Sequence, residues 1–279
     1  IIATAHSVIP PDFRYPLEGR GWEIPLRMLA NLGMPLLRRV WGPGTWGLLD
    51  GVVVHSEFQR AWIAEQCHGP VSVVPHFVPS SVSPSRGRRD FRSGPGVNLL
   101  VFGFFTPEKG QDLVLKALPL LPPKVRVTFA GGLRRPRDRR YFEHCLQLQE
   151  PFGSRVQILG FVPSEQLDQV FDSADLVIAP FRDTSGSGSI VQALARHKPV
   201  LASDHPLNRE IAERESDALA LFRLGDPKSL AAEVNRILSG PEALERLRLG
   251  ASRYAQRYSL GETWQQHLAF YQQILGNPP

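Results

Sequence analysis

The run RDTSGSGSIVQALARHKPVLAS, Arg182 to Ser203, places Ser185, Gly186, Ser187, Gly188 and Ser189 in a row directly before a helical pattern. The apolar ADLVIAP just upstream reads as a buried strand. A helix beginning near Ser187 to Ser189 leaves its first backbone N–H groups without intrahelical partners, and its dipole is positive there. Glycines let a ligand approach the backbone and serine hydroxyls add donors, so this order of elements can cradle a phosphate. The competing reading is an ordinary serine-rich turn, because Ser is a favoured N-cap. It is not a dinucleotide fingerprint: Val191 stands where the third glycine of GxGxxG would be. A second stretch, LLVFGFFTPEKGQDLVLKAL, reads as a strand, Gly103, a short loop, and Lys109-Gly110 at a helix start. A cation near the positive end of a helix is repelled by the dipole, and an anion beside it would resolve the conflict. A solvated surface lysine is the alternative.

These residues need a scaffold, and the sequence supplies one. From residue 97 onward six apolar runs, VNLLVFG, KVRVTFAG, SRVQILG, DLVIAP, PVLAS and ALALF, alternate with helical patterns starting near Lys109, Arg135, Pro163, Gly188, Pro206 and Asp226. Continuous apolar strands, each followed by a helix, predict a parallel sheet covered on both faces, a doubly wound α/β domain. Ahead of it, IIATAHS, GVVVHS and VSVVPHF predict three more strands, with helices over 22–41 and 57–67. Between the two regions, PSSVSPSRGRRDFRSGPG has almost no apolar content and reads as a linker. The division that follows is 1–79 for a first α/β domain, 80–96 for the linker, 97–255 for the second domain, and 256–279 for a helix packing back on the first. The chain opens inside a strand pattern, so the first domain is expected to lack material upstream.

Bulk composition narrows the function. A net charge of +5 with Lys and Arg dispersed among Asp and Glu argues against nucleic-acid binding. Cys67 and Cys145 form no CxxC pair and no disulfide framework, which suits a reducing compartment or indifference to redox. There is no acidic cluster with metal-ligand spacing. EIPLRMLANLGMPLLRRVW mixes Leu, Met and Trp with Arg and reads either as a membrane-surface helix or, with its two prolines, as a packed helix pair. His55 and His76 follow strands and read as satisfied loop or core histidines.

Taken together, these segments resemble the nucleotide-sugar-binding domain of glycosyltransferase family 4, of GT-B fold. FGFFTPEKGQDLVLKAL is similar to the family's Gly-Arg-x-x-x-x-Lys-Gly segment. VQILGFVPSEQLDQVFDSADLVIAP resembles its strand, base-contacting loop, helix and strand. SGSGSIVQALARHKPVLASD resembles its phosphate-binding loop and helix. The resemblance runs from about Val52 to the C-terminus and is densest from 97 to 239. It implies two Rossmann-like doubly wound domains, the first incomplete, that close around a nucleoside diphosphate sugar. It implies that Lys109 contacts the donor's distal phosphate, as a catalytic group. Ser187, Gly188 and Ser189 would hold the same diphosphate beside Gly103, and Phe161 and Val162 would border the base. His6 would lie near the donor sugar and the acceptor, as a second catalytic residue.

Three positions depart from the family pattern. Phe104 stands where a basic residue is usual, with Arg134, Arg135 or Arg182 available as replacements. Thr184 and Gln192 stand where a glutamate pair is usual, and Gln192 keeps hydrogen-bonding capacity for a ribose hydroxyl. The implied activity is retaining, metal-independent transfer of a sugar to a glycan or lipid-linked acceptor, without a cofactor beyond the donor. The implied setting is cell-surface polysaccharide or glycolipid synthesis, in the cytoplasm or peripherally at the inner face of the membrane. A non-catalytic GT-B-like binding or regulatory subunit is the alternative. An epimerase or a phosphorylase of the same fold would want cleft carboxylates or a lysine-bound cofactor, and neither signal is present.

Overall fold

The computed structural model describes residues 2–5, 46–79, 96–183 and 188–276. His6, the helix expected over 22–41, the linker over 80–95, Thr184 and Ser187 lie outside the described residues. The chain divides into two units, Ile1–His76 with Gly261–Pro279, and Phe77–Leu260.

In the first unit, β1 (Ile2–Ala5), β2 (Gly51–Val54) and β3 (Val71–Val73) form a parallel sheet in that order. The valine run 52–54 is fully buried, as a central parallel strand requires. Helix α1 (Glu57–Ile63) starts at Ser56, whose hydroxyl accepts from the Gln59 N–H at 3.0 Å, while the Gln59 side chain accepts from the His55 N–H at 2.9 Å. The His55 and His76 rings stack at 3.7 Å, and His55 Nδ1 lies 2.8 Å from the Val74 carbonyl, so both are satisfied loop residues.

The second unit follows the predicted alternation. Strands β4 (Val97–Phe102), β5 (Val125–Ala130), β6 (Val156–Gly160), β7 (Leu176–Ala179), β8 (Val200–Ser203) and β9 (Ala220–Phe222) are interleaved with helices α2 (Gln111–Ala117), α3 (Arg139–Gln149), α4 (Leu167–Asp172), α5 (Gly188–Ala195), α6 (Pro206–Arg214) and α7 (Pro227–Leu238). Two long helices close the chain, α8 (Pro241–Arg257) and α9 (Leu260–Leu275). From Gly261 onward α9 groups with the first unit, where Phe270 and Ile274 pack on Val53 and Val74.

All six strands are parallel, in the order β6-β5-β4-β7-β8-β9. Alternate residues serve opposite faces: Leu99 and Val101 pack with Val114, Leu230 and Val234 on one side. Leu100 and Val177 pack with Phe171, Ile190 and Leu194 on the other. Burial on both sides is why the strands read as unbroken apolar runs. The chain builds outward from β4 to β6 and returns to start the second half at β7. Strands β4 and β7 pair only over Leu99–Leu100 and Leu176–Val177, and open a crevice where both run on towards their carboxyl ends.

Several helices start later than expected. The helix expected at Lys109 begins at Gln111, because Pro107–Lys109 forms a 3-10 turn and Gly110 reverses the chain in the left-handed region, φ 68°. The 3-10 turns Pro136–Asp138 and Ser164–Gln166 likewise precede α3 and α4. Each turn carries a proline in it or directly before it, whose fixed φ suits a turn entering a helix.

Candidate functional site

The crevice is lined by the loops leaving β4, β5 and β7 and by the start of α5. After β4 the chain turns at Gly103, φ 139°, whose N–H donates to the Ala130 carbonyl at 2.9 Å. The Phe105 N–H then donates to the Gly132 carbonyl at 3.0 Å, so the loops after β4 and β5 stay side by side beyond their strands. A Cβ at Gly131 would collide with the Gly103 carbonyl, which is why this approach needs glycine. Phe105 turns into the core against Phe129 and Phe142. Phe104 remains 40% exposed.

Gly110 is the second fixed point. Its left-handed backbone brings the 107–109 turn against the end of β7, so closely that a Cβ would strike the Pro180 carbonyl. Lys109 is thereby carried over the ring of Phe181, with Nζ 3.8 Å from the centroid. Burial pulls the ammonium down to about 8; Glu108 opposes the shift and the charge of Arg134 adds to it. Among the described residues no carboxylate forms a salt bridge with it. Across the crevice, a Cβ on Gly103 would lie 3.4 Å from Ser189 Oγ, so Gly103 and the first turn of α5 face each other.

Arg182 ties these pieces together. Its N–H donates to the Glu108 carbonyl at 2.8 Å, and its guanidinium grips both oxygens of Asp112 at 2.7 Å and the Pro107 carbonyl at 3.0 Å. Asp112 also accepts from Lys116 and from the Tyr141 hydroxyl, each at 2.8 Å. Burial opposes ionisation of Asp112, but the bonds from Arg182, Lys116 and Tyr141 outweigh it and hold the carboxyl well below the usual carboxylate range. This cluster is structural: it fixes the turn that carries Lys109. Gln111 adds to it by donating to the Phe104 carbonyl at 2.8 Å.

The structure thus gathers Gly103, Lys109, Gly188 and Ser189 at one rim of the second sheet. Phe161, 73% exposed, and Val162, partly buried against the core, follow β6 on the same side, after the left-handed Gly160. Gln192 Oε1 accepts from Arg196 at 2.6 Å, so what it offers a ligand is its NH2 group. Arg196 in turn pairs with Asp168 at 2.6 Å. Of the suggested replacements for a basic residue at 104, Arg135 is committed to Asp138 and Arg182 to Asp112. Sequence reasoning passed over Asp112, Tyr141 and His205. His205 caps α6 by accepting from the Leu207 N–H at 3.3 Å and lies 3.9 Å from Asp183. The one signal for it was a Pro at the next position, since His is an unusual cap. Among the described residues no three His, Cys, Asp or Glu side chains group as a metal site, and no helix is long and apolar enough to cross a membrane.

Spore coat protein SA of Bacillus subtilis is 24% identical over 172 residues, 58% of this chain and 46% of that protein. A GDP-mannose:glycolipid 4-beta-D-mannosyltransferase of Xanthomonas campestris pv. campestris is 30% identical over 152 residues, 53% of this chain and 42% of that protein. The match therefore spans less than half of either relative. Among solved structures, Anabaena HepE in complex with UDP and glucose superposes with a TM-score of 0.72 at 19% identity, covering 97% of this chain and 70% of that one. Sucrose-phosphate synthase from Thermosynechococcus elongatus gives a TM-score of 0.75 at 19% identity, covering 99% and 68%. These likenesses establish a GT-B-type fold with Rossmann-like organisation. Residues 91–254, more than half of the sequence, match one family throughout, and the chain belongs to the glycosyl transferases group 1.

Proposed function

We propose that this protein is a retaining glycosyltransferase of family 4 that moves a sugar from a nucleoside diphosphate sugar to a glycan or lipid-linked acceptor. The observation that carries the proposal is Lys109: a half-buried cation with no salt-bridged carboxylate among the described residues, held over the Phe181 ring on the loop after β4, whose Gly103 faces the N-terminal turn of α5. Breaking the glycosidic bond of such a donor leaves negative charge on the departing diphosphate. A fixed ammonium and the positive end of a helix dipole stabilise that charge without reorganising. In this reading Lys109 meets the distal phosphate, and Ser187, Gly188 and Ser189 hold the diphosphate opposite Gly103. Phe161 and Val162 border the base. Gln192 and Thr184 face the sugars, and His6 acts near the donor sugar and acceptor. The leaving-group charge is then met without a metal, and no cofactor beyond the donor is required. Two of the similar proteins differ in base, UDP in the HepE complex and GDP-mannose for the Xanthomonas mannosyltransferase, so both bases are carried forward. A setting in surface polysaccharide or glycolipid synthesis, cytoplasmic or peripheral to the membrane, belongs to the same proposal.

Phe104 favours one rival, a GT-B-like subunit that binds a nucleotide sugar without turning it over. A thermal-shift panel of UDP-, GDP-, ADP- and TDP-sugars identifies the donor, and release of the diphosphate with and without EDTA then measures turnover. Stabilisation by one donor, lost in Lys109→Ala, is the expected result. Binding with no release in the presence of candidate acceptors supports the rival. An unchanged shift in Lys109→Ala removes the phosphate assignment.

A further inference from the structure

The three arginines available to replace a basic residue at position 104 differ in what holds them. Arg182 is closed on Asp112 through two 2.7 Å bonds, and Arg135 is closed on Asp138 at 2.9 Å. Arg134 is exposed, and no carboxylate among the described residues forms a salt bridge with it. Its guanidinium instead lies over the ring of Phe104, with its central carbon 5.6 Å from the centroid.

The backbone explains that placement. Phe105 and Leu133 pair as a parallel bridge, an extension of β4 and β5 past their ends. Phe105 is buried in this extension and Phe104 is not, so the Phe104 ring offers a surface at the rim and Arg134 lies along it. An arginine held over an aromatic ring keeps N–H donors for a second partner, and that fork matches phosphate oxygens. The charge of Arg134 is also felt by Lys109, where it adds to the lowering of the ammonium's pKa. Two like charges on neighbouring loops repel each other, and an anion between them turns the repulsion into a joint attraction.

We propose that Arg134, seated on the Phe104 ring, is a second cationic contact to the donor diphosphate, beside Lys109. It would then supply the charge at the rim that the family pattern places at position 104 itself. This rests on the donor-binding reading of the site.

Isothermal titration of the whole chain with UDP, GDP, ADP and TDP at neutral pH tests the assignment. Arg134→Ala is expected to weaken whichever diphosphate binds by about ten-fold, with the melting temperature unchanged because the side chain is exposed. Phe104→Ala, which removes only the seat, is expected to weaken it by about three-fold and to add nothing in the Arg134→Ala background. Phe104→Arg combined with Arg134→Ala is expected to recover most of the affinity. A structural role for Arg134 would produce neither the non-additivity nor the rescue. If Arg134→Ala binds like the parent while Lys109→Ala does not, the inference is overturned and the donor site stands. If the parent binds none of UDP, GDP, ADP and TDP, the donor reading fails and takes this inference with it.

Discussion

Replacing Lys109 by Met should stabilise the unliganded protein while abolishing diphosphate binding. Burial brings the ammonium down to about 8. Relative to an ordinary lysine near 10.4, that drop is a free-energy penalty of about 3 kcal/mol on the charged form in the folded state. At neutral pH the parent carries that penalty, and Met, with a similar stem and no charge, escapes it. The sign with pH follows from proton counts. Between pH 8 and about 10.4 the unfolded chain keeps the lysine proton while the folded chain gives it up, so the parent gains stability as pH rises. Lys109→Met has no such group, and the difference between the two should shrink over that window. Urea denaturation at a series of pH values measures both quantities, and they must agree, because the excess stability of Lys109→Met at pH 7 is the amount the parent recovers by pH 10.4. Parallel pH profiles, or a Lys109→Met variant less stable than the parent at pH 7, would refute the claim that the lysine is held desolvated for an anion.

Two further outcomes follow from the supports of that turn. Asp112→Ala strips the acceptor from Arg182, Lys116 and Tyr141 and is expected to cost about 2 kcal/mol, discounted because the two cations are partly exposed. Asp112 is depressed, so its contribution is present above the ordinary carboxylate value near 4 and fades as pH falls through the lower folded value. Denaturation at pH 7 and pH 3 should therefore show a smaller difference at the lower pH, and a loss under about 0.5 kcal/mol at pH 7 would remove Asp112 as the anchor. Gly110→Ala forces a side chain into a left-handed position and onto the Pro180 carbonyl, and should cost about 2 kcal/mol or more together with diphosphate affinity. A Gly110→Ala protein with parental melting temperature and affinity would mean that the turn does not need its close approach to β7.

The alternation of strands and helices in the second unit was legible because burial on both faces leaves a continuous apolar signature, visible in VNLLVF, VRVTFA and LVIA. Helix starts were less legible. Lys109 read as the start of a helix, and the delay to Gln111 depends on Gly110 adopting φ 68° against Pro180, a contact between residues far apart in sequence. The grouping of Gly103 with Ser189 was legible only as order along the chain; their facing positions follow from the return of the chain to β7 beside β4. Asp112 was invisible for the same reason. Within α2 it reads as an ordinary first-turn acid, and its partner Arg182 lies on the far side of three strands in sequence.

The arginines show where composition stops being informative about a site. Arg134, Arg135 and Arg182 are chemically identical, and each was an equal candidate for the charge missing at Phe104. What separates them is the nearest carboxylate. Asp138 lies three residues from Arg135 on one 3-10 turn and its N-terminal flank, so their pairing is local and needs nothing from the rest of the fold. Asp112 reaches Arg182 only because β4 and β7 are neighbours, and once paired, that arginine serves to hold Lys109 in place rather than to meet a ligand. Arg134 follows Leu133, which pairs with Phe105, and meets an aromatic ring instead of an acid. A ring attracts a cation but does not neutralise it, so the charge stays available at the rim. On this account an acid introduced beside the ring, as in Phe104→Glu, should cancel Arg134 and weaken diphosphate binding more than Phe104→Ala does. Equal affinities for the two variants would mean that the charge over position 104 does not reach the ligand.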